Sequence, residues 1–371
     1  MSVSELIKRA EKNMQICNAC RYCEGYCAVF PAMTRRLTFS EADLHYLANL
    51  CHGCGSCYYA CQFAPPHEFD VNVPRNFAQL RGQTYRRYAW PGFLAGLFEK
   101  NGVAVSLVTA ASLALFLLAT FWLQAPEVVF AAHPGGDFYK VIPHSVMVWT
   151  FGLVSLFVLL ALAIGFTRFW RGLGEPLGQF AKPQAFGQAL SDALRLKYLD
   201  GGGEGCTYPG ETPSFSRRLF HHFTFYGFLL CFAATTTGTI YHYGFGWIAP
   251  YDYFSLPVIF GTLGGIGLLI GPAGLLWLKT RQDPDTAEPS QRGMDNGFLV
   301  LLFLTSLTGL ALLALRETAA MGTLLAVHLG VVMGLFLILP YCKFVHAVYR
   351  FAALVRYALE RSRPVPNVTF E

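Results

Sequence analysis

Apolar residues along this chain come in blocks. The first hundred positions contain no long apolar run, whereas beyond Asn101-Gly102 six stretches of about 20 mostly apolar residues follow, the length needed to cross a bilayer as a helix. They lie at 103–123, 144–166, 219–243, 254–278, 298–315 and 320–346. The expected architecture is therefore a small α-helical head followed by an all-α membrane bundle of about six transmembrane helices. Its divisions are a cytoplasmic domain at 1–100, a membrane domain at 101–349 with a cytoplasmic loop at 168–218, and a cytoplasmic tail at 350–371. In that loop Phe186, Ala189, Leu190, Ala193, Leu194 and Tyr198 recur at helical spacing, which predicts one amphipathic helix against the head or the membrane surface. Gly201-Gly202-Gly203-Glu204-Gly205 lacks the Lys-Ser/Thr of a phosphate loop and reads as a flexible linker. Gly261, Gly264, Gly265 and Gly267 have no strand before them and read as close helix packing.

Composition agrees with this division. Of the 371 residues 54% are hydrophobic and only 14% charged, too apolar a balance for an ordinary soluble enzyme. Lys and Arg fix the expected orientation. Arg168, Arg171, Lys182, Arg195, Lys197, Arg217 and Arg218 share one loop, Lys279, Arg281 and Arg292 lie around the next on that side, and the end from Lys343 to Arg363 is basic. The opposite connections hold only Lys140 and Arg316, so the head and both termini are expected in the cytoplasm. Met1 to Gln15 shows no apolar signal core. The net charge of +5 follows from these loops and needs no nucleic-acid partner.

The chemistry is carried by cysteine. Eight of the eleven cysteines form two runs, Cys17-x-x-Cys20-x-x-Cys23-x-x-x-Cys27 and Cys51-x-x-Cys54-x-x-Cys57-x-x-x-Cys61. This is the spacing with which bacterial ferredoxins hold cubane clusters, the fourth cysteine of each run reaching the other cluster, so the fold class expected is a small α-helical two-cluster ferredoxin-like head on the membrane bundle. The expected sets are crossed: Cys17, Cys20, Cys23 and Cys61 for one [4Fe-4S] cluster, and Cys51, Cys54, Cys57 and Cys27 for the second. Zinc also takes paired Cys-x-x-Cys, but it leaves four cysteines in one eleven-residue run unexplained. The proline that usually follows the fourth cysteine is replaced by Ala28 and Gln62. Cys206, Cys231 and Cys342 are scattered and suggest no disulfide framework.

Histidines at span ends suggest a second cofactor, since a ligating side chain inside a span is costly without a function. On one continuous helix His328 and His346 stand 18 residues apart, about 27 Å and five turns. His221 and His242 stand 21 residues apart in the third span, with His221 better aimed than His222. Antiparallel spans then pair His221 with His346 and His242 with His328, two bis-histidine sites for haem b. His144 is the reserve ligand for the outer site, and Gly227, Gly238, Gly330 and Gly334 would give a macrocycle room. His45, His52 and His67 read as surface or supporting groups, with His52 able to tune a cluster through hydrogen bonds.

The cluster motifs, Val73-Pro74-Arg75, the run from Arg217 to Phe228 around His221-His222, and the end Pro340-Tyr341-Cys342-Lys343-Phe344-Val345-His346 together resemble the TcuB/CitB family, the tricarballylate and citrate utilisation B proteins. The membrane part is also similar to the nitrate reductase gamma subunit, a dihaem quinone-reactive protein. The resemblance implies a protein of the bacterial inner membrane. It also implies a separate FAD-dependent dehydrogenase on the cytoplasmic side that oxidises tricarballylate, and delivery of its electrons to the quinone pool. The chain itself shows no flavin, nucleotide or acid-base constellation for an organic substrate. Two other readings are a membrane-anchored iron–sulfur redox sensor and a heterodisulfide-reductase-like subunit, though the latter expects adjacent Cys-Cys-Gly motifs that this sequence lacks.

Overall fold

The computed structural model describes residues 2–364 and is almost entirely helical. The head opens with α1 (Val3–Cys20), α2 (Val29–Met33), α3 (Glu41–Leu50), α4 (Ser56–Tyr59) and α5 (Val73–Tyr88). Ser2 and Ser40 start α1 and α3 with reciprocal capping boxes to Glu5 and Asp43, and Asn72 caps α5 just ahead of Pro74. These helices bury Leu44, Leu47, Phe77, Leu80 and Tyr85 in one core.

Six helices among the described residues are long and apolar enough to cross a membrane: α6 (Asn101–Leu123), α8 (His144–Gly172), α11 (Ser216–Phe245), α12 (Leu256–Thr280), α13 (Arg292–Ala314) and α14 (Met321–Ile338). Between them lie α7 (Pro126–Val129), α9 (Leu177–Phe180), α10 (Pro183–Leu194) and a two-strand hairpin, β1 (Cys206–Thr207) with β2 (Pro213–Ser214). The basic connections pack on the head: Tyr59 donates to Asp283, Asn72 to the Asp285 carbonyl and Gln79 to Glu288. Head and basic loops therefore share one end of the bundle.

Glycine sets the helix approaches, but not as the macrocycle argument expected. A Cβ on Gly227 would lie 2.9 Å from the Gly264 carbonyl oxygen and from Leu268 N, so it seals α11 against α12. Gly330 and Gly334 likewise lie against the α6 backbone, at Leu113 and Thr109. The space beside these three glycines is filled by neighbouring helices and is closed to a porphyrin.

The sixth span is also shorter than its hydrophobic pattern. Pro340 supplies no amide donor and disfavours helix before it, so α14 gives way to a 3₁₀ turn at Leu339–Tyr341 and a new helix, α15 (Val345–Ser362), begins beyond it. His328 and His346 are therefore on two helices, and the expectation of one shared face on a single rod fails. The part of the 350–371 tail that is described is helical to Ser362, and the rest of that tail lies outside the described residues. Ala352, Ala353, Val355 and Leu359 of α15 are buried where α15 packs on the head and on α10, so the loop helix Pro183–Leu194 lies against α15 and stops short of Tyr198.

An ion triad ties this junction together. Asp295 on α13 accepts from Lys279 at the end of α12 (2.6 Å) and pairs with Lys343 just past the α14 turn (2.8 Å). Replacing Asp295 by Ala strands two largely buried ammonium groups. The substitution is expected to lower the stability of the detergent-solubilised bundle by about 1–3 kcal/mol, read as an earlier thermal transition.

A candidate iron–sulfur and histidine site

The two cysteine runs fold so that their members interleave. Cys17, Cys20, Cys23 and Cys61 line one cavity, which Cys57 also borders, and Cys27, Cys51, Cys54 and Cys57 line a second one under α4. The last cysteine of each run thus sits with the first three of the other. Positive-φ Gly53 and Gly55 turn the chain sharply enough to direct Cys51, Cys54 and Cys57 inward. Among the described residues no three His, Cys, Asp or Glu side chains converge closely enough for a single ion.

Electrostatics makes the same demand. Burial, followed by the neighbouring cysteines, pushes the Cys17 and Cys23 thiols up to about 12, and burial raises Cys27 and Cys57 well above the ordinary thiol range. Four thiolates so crowded require a cationic centre among them. The donor set therefore fits iron–sulfur clusters.

Cys54 behaves differently. A hydrogen bond from the Cys206 thiol, which outweighs burial, draws its pKa down, and Ser56 and Arg217 act the same way. Cys206 is fully enclosed and was invisible in the sequence as anything but a scattered cysteine. Its place is set by the hairpin, where it pairs with Ser214, and by the glycine run before it. That run is not a linker. The Gly203 and Gly205 amides donate to the Asp200 carbonyl, and Gly202 packs on Tyr26 between the cysteines of the first run.

His221 and His346 face each other, their ring centroids 6.3 Å apart and their planes nearly perpendicular. The His346 Nδ1–H donates to the Lys343 carbonyl at 2.5 Å, which leaves Nε2 as the free donor atom. Burial, then Arg350, holds its pKa well below the usual imidazole range, so the ring is neutral. His221 Nδ1 is buried without a partner. Two imidazoles at this separation, one already oriented by a backbone carbonyl, fit residues that would hold one haem iron between them. His222 instead stacks on Tyr226.

The outer histidines do not form the facing pair expected of them. His242 stacks on His144 with centroids 4.1 Å apart, ring against ring at contact distance, and no metal fits between. His328 Nδ1 is instead 3.0 Å from Thr308 Oγ1 on α13. The reserve residue has taken the partner's place, and an outer haem held by His242 and His328 has no support in this arrangement. In the head, His45 is buried on Thr84 (2.8 Å) and His67 accepts from the Phe69 amide (3.1 Å), both structural roles. His52 faces Arg350, its Nδ1 3.2 Å from Nη1.

Known proteins place the chain. Residues 10–87 match the Fer4-like domain of citrate utilization protein B, which points to iron–sulfur electron transfer, and residues 99–367 match the citrate utilization protein B family itself. The chain is 53% identical over 356 residues to citrate utilization protein B of Escherichia coli, covering 95% of this chain and 92% of that protein. No solved structure matches it. On both the family match and this identity, the chain belongs to the citrate utilization protein B family.

Proposed function

We propose that this protein is a membrane-bound electron carrier. It takes electrons from a flavoprotein dehydrogenase docked on its head and passes them through two [4Fe-4S] clusters and a b haem to the quinone pool. The observation that carries this reading is two crossed cysteine quartets in adjoining cavities together with the facing rings of His221 and His346, each one helical turn from an arginine bonded to the Cys51–Gly53 loop. When bound, the clusters and the haem supply the one-electron chemistry, and the protein supplies position and potential. Cys17, Cys20, Cys23 and Cys61 hold the first centre close to the surface, where Cys20 is exposed. Cys27, Cys51, Cys54 and Cys57 hold the second in the interior. His221 and His346 would hold the haem iron at the membrane end. The name of the relative suggests service in citrate use, and the resemblance to the TcuB/CitB proteins implies tricarballylate as the partner's substrate, with the organic oxidation left to that partner. The positive-inside pattern supports a cytoplasmic head, with 1–100 as the cluster domain and 101–349 as the membrane domain.

Purified full-length protein should contain about eight non-haem irons with matching acid-labile sulfide, as two cubanes require, and show b-type absorption that disappears in His346→Ala while the non-haem iron stays. Added quinone should reoxidise the reduced clusters. Zinc with negligible iron would overturn the cluster reading, and absence of b-type absorption the haem reading.

A further inference from the structure

Three arginines from three distant elements meet at the loop that carries Cys51 and Cys54. Arg81 of α5 donates to the carbonyls of Ala48 (3.1 Å) and Cys51 (3.0 Å). Arg217 of α11 donates to those of Gly53 (2.6 Å) and His52 (2.9 Å). Arg350 of α15 donates to Cys51 (2.7 Å) and Asn49 (3.3 Å). Among the described residues none of the three pairs with a carboxylate, although Arg81 is only 8% exposed. Such guanidinium groups are costly to desolvate unless an anion nearby compensates them. The available anion is the thiolate-bound centre itself.

The first quartet has no such surroundings. Arg21, next to Cys20, is exposed and donates to the Asn18 carbonyl, and Lys12 lies over Phe69. Hydrogen bonding is unequal in the same sense. Around the second quartet the Gly53 N–H donates to Cys51 Sγ (3.3 Å), Cys54 Sγ lies 3.7 Å from the Ser56 hydroxyl oxygen, and Cys206 acts on Cys54 in the direction of a hydrogen-bond donor. The first has the Phe63 and Ala64 amides at Cys61.

Net charge, hydrogen bonds to sulfur and solvent exposure are what tune an iron–sulfur potential. Burial alone would make an added electron harder to accept at the second centre. Three guanidinium groups without a carboxylate partner, Arg217 also lying over the Tyr208 ring, act the other way, as do hydrogen bonds to sulfur. Arg217 and Arg350 stand four residues from His221 and His346, one turn along the same helix faces, so the pair of helices that would clasp the haem also delivers the charge.

We propose that Arg81, Arg217 and Arg350 form a cationic collar that sets the potential of the Cys27/Cys51/Cys54/Cys57 centre above that of the Cys17/Cys20/Cys23/Cys61 centre. The single electron lost at the surface centre is then the one gained at the interior centre, and transfer runs inward. The collar residues are positioning residues, and the inference rests on the cluster reading above.

The test is an EPR-monitored redox titration of the full-length protein in detergent. The wild type should show two [4Fe-4S] signals of different midpoint. In Arg350→Gln and in Arg217→Gln the higher-potential signal should move to more negative potential while the lower one stays, and Arg350→Lys should restore most of the shift. Iron content is measured on each variant, and if one fails to retain iron the other gives the reading. Two signals that do not move, or movement of the lower one alone, would overturn the collar and leave the cluster reading intact. Absence of both signals from wild type would overturn the cluster reading itself.

Discussion

Replacing Glu360 by Ala should loosen the head from its far end and lower its stability by about 3–5 kcal/mol, the usual cost of stranding a buried ion pair. Glu360 is buried on α15 and meets three partners. Arg36 of the head forms its closest ion pair, Arg356 Nε lies 3.2 Å away, and the Tyr46 hydroxyl donates to it at 3.0 Å. Both guanidinium groups also lie over the Tyr46 ring, at 5.1 and 4.4 Å from its centroid. Without Glu360 two cations face one remaining carboxylate, Asp43, which is 2.7 Å from Arg36 and 3.4 Å from Arg356. The check is limited proteolysis of the purified protein, with early cleavage in α15 and loss of the head's denaturant transition at lower concentration. Glu360→Gln, which keeps the shape, should fall between.

The same network predicts the direction of acid sensitivity. Burial raises the Asp43 carboxyl, but hydrogen bonds from Ser40 and Arg36 and the Arg356 charge outweigh it, and the folded pKa lies below the unfolded value of 3.8. The folded state thus binds the proton less readily than the unfolded state. Its contribution is complete above the unfolded value and disappears as pH falls through the folded one. Asp43→Asn should be less stable at neutral pH and should show a shallower loss of stability below about pH 4.

Short-range spacing made much of this molecule readable. The cysteine runs are local patterns whose chemistry follows from separation along the chain, and the six apolar blocks are each long enough to declare themselves. What went unread depends on contacts between distant segments. Pro340 was present in the sequence as a break, yet the unbroken hydrophobicity on both sides of it favoured one long span and carried the His328/His346 argument with it. Gly227, Gly330 and Gly334 are small for a real reason, but the neighbour they admit is a helix, which composition cannot distinguish from a cofactor. Cys206 carries no motif, and its approach to Cys54 exists only because the 206–214 hairpin folds under α4. Arg81, Arg217 and Arg350 are 269 positions apart from first to last, and their meeting could be seen only once α15 was placed against the head.

The crossing of the two cysteine runs yields the other large expected effect. If each run held its own cluster, Cys27→Ala would damage the cluster of Cys17, Cys20 and Cys23. In the folded head Cys27 lines the cavity of Cys51, Cys54 and Cys57, whereas Cys61 borders that of Cys17, Cys20 and Cys23. Cys27→Ala should therefore remove the interior centre and Cys61→Ala the exposed one, each lowering iron from about eight to about four per chain. The two losses are separable because the centres differ in surroundings. Cys27→Ala should abolish the EPR signal that responds to Arg350→Gln, and Cys61→Ala should leave that signal in place. Loss of the same signal in both variants, or assignment in the reverse order, would show that the fourth ligands are not exchanged. The severity should also differ. Cys27 lies directly before buried Ala28, Val29 and Phe30 of the core, while Cys61 is followed by partly exposed chain. Removing the interior ligand should thus cost fold stability as well as iron, and electron delivery to the His221/His346 pair should stop in that variant even with the surface centre intact.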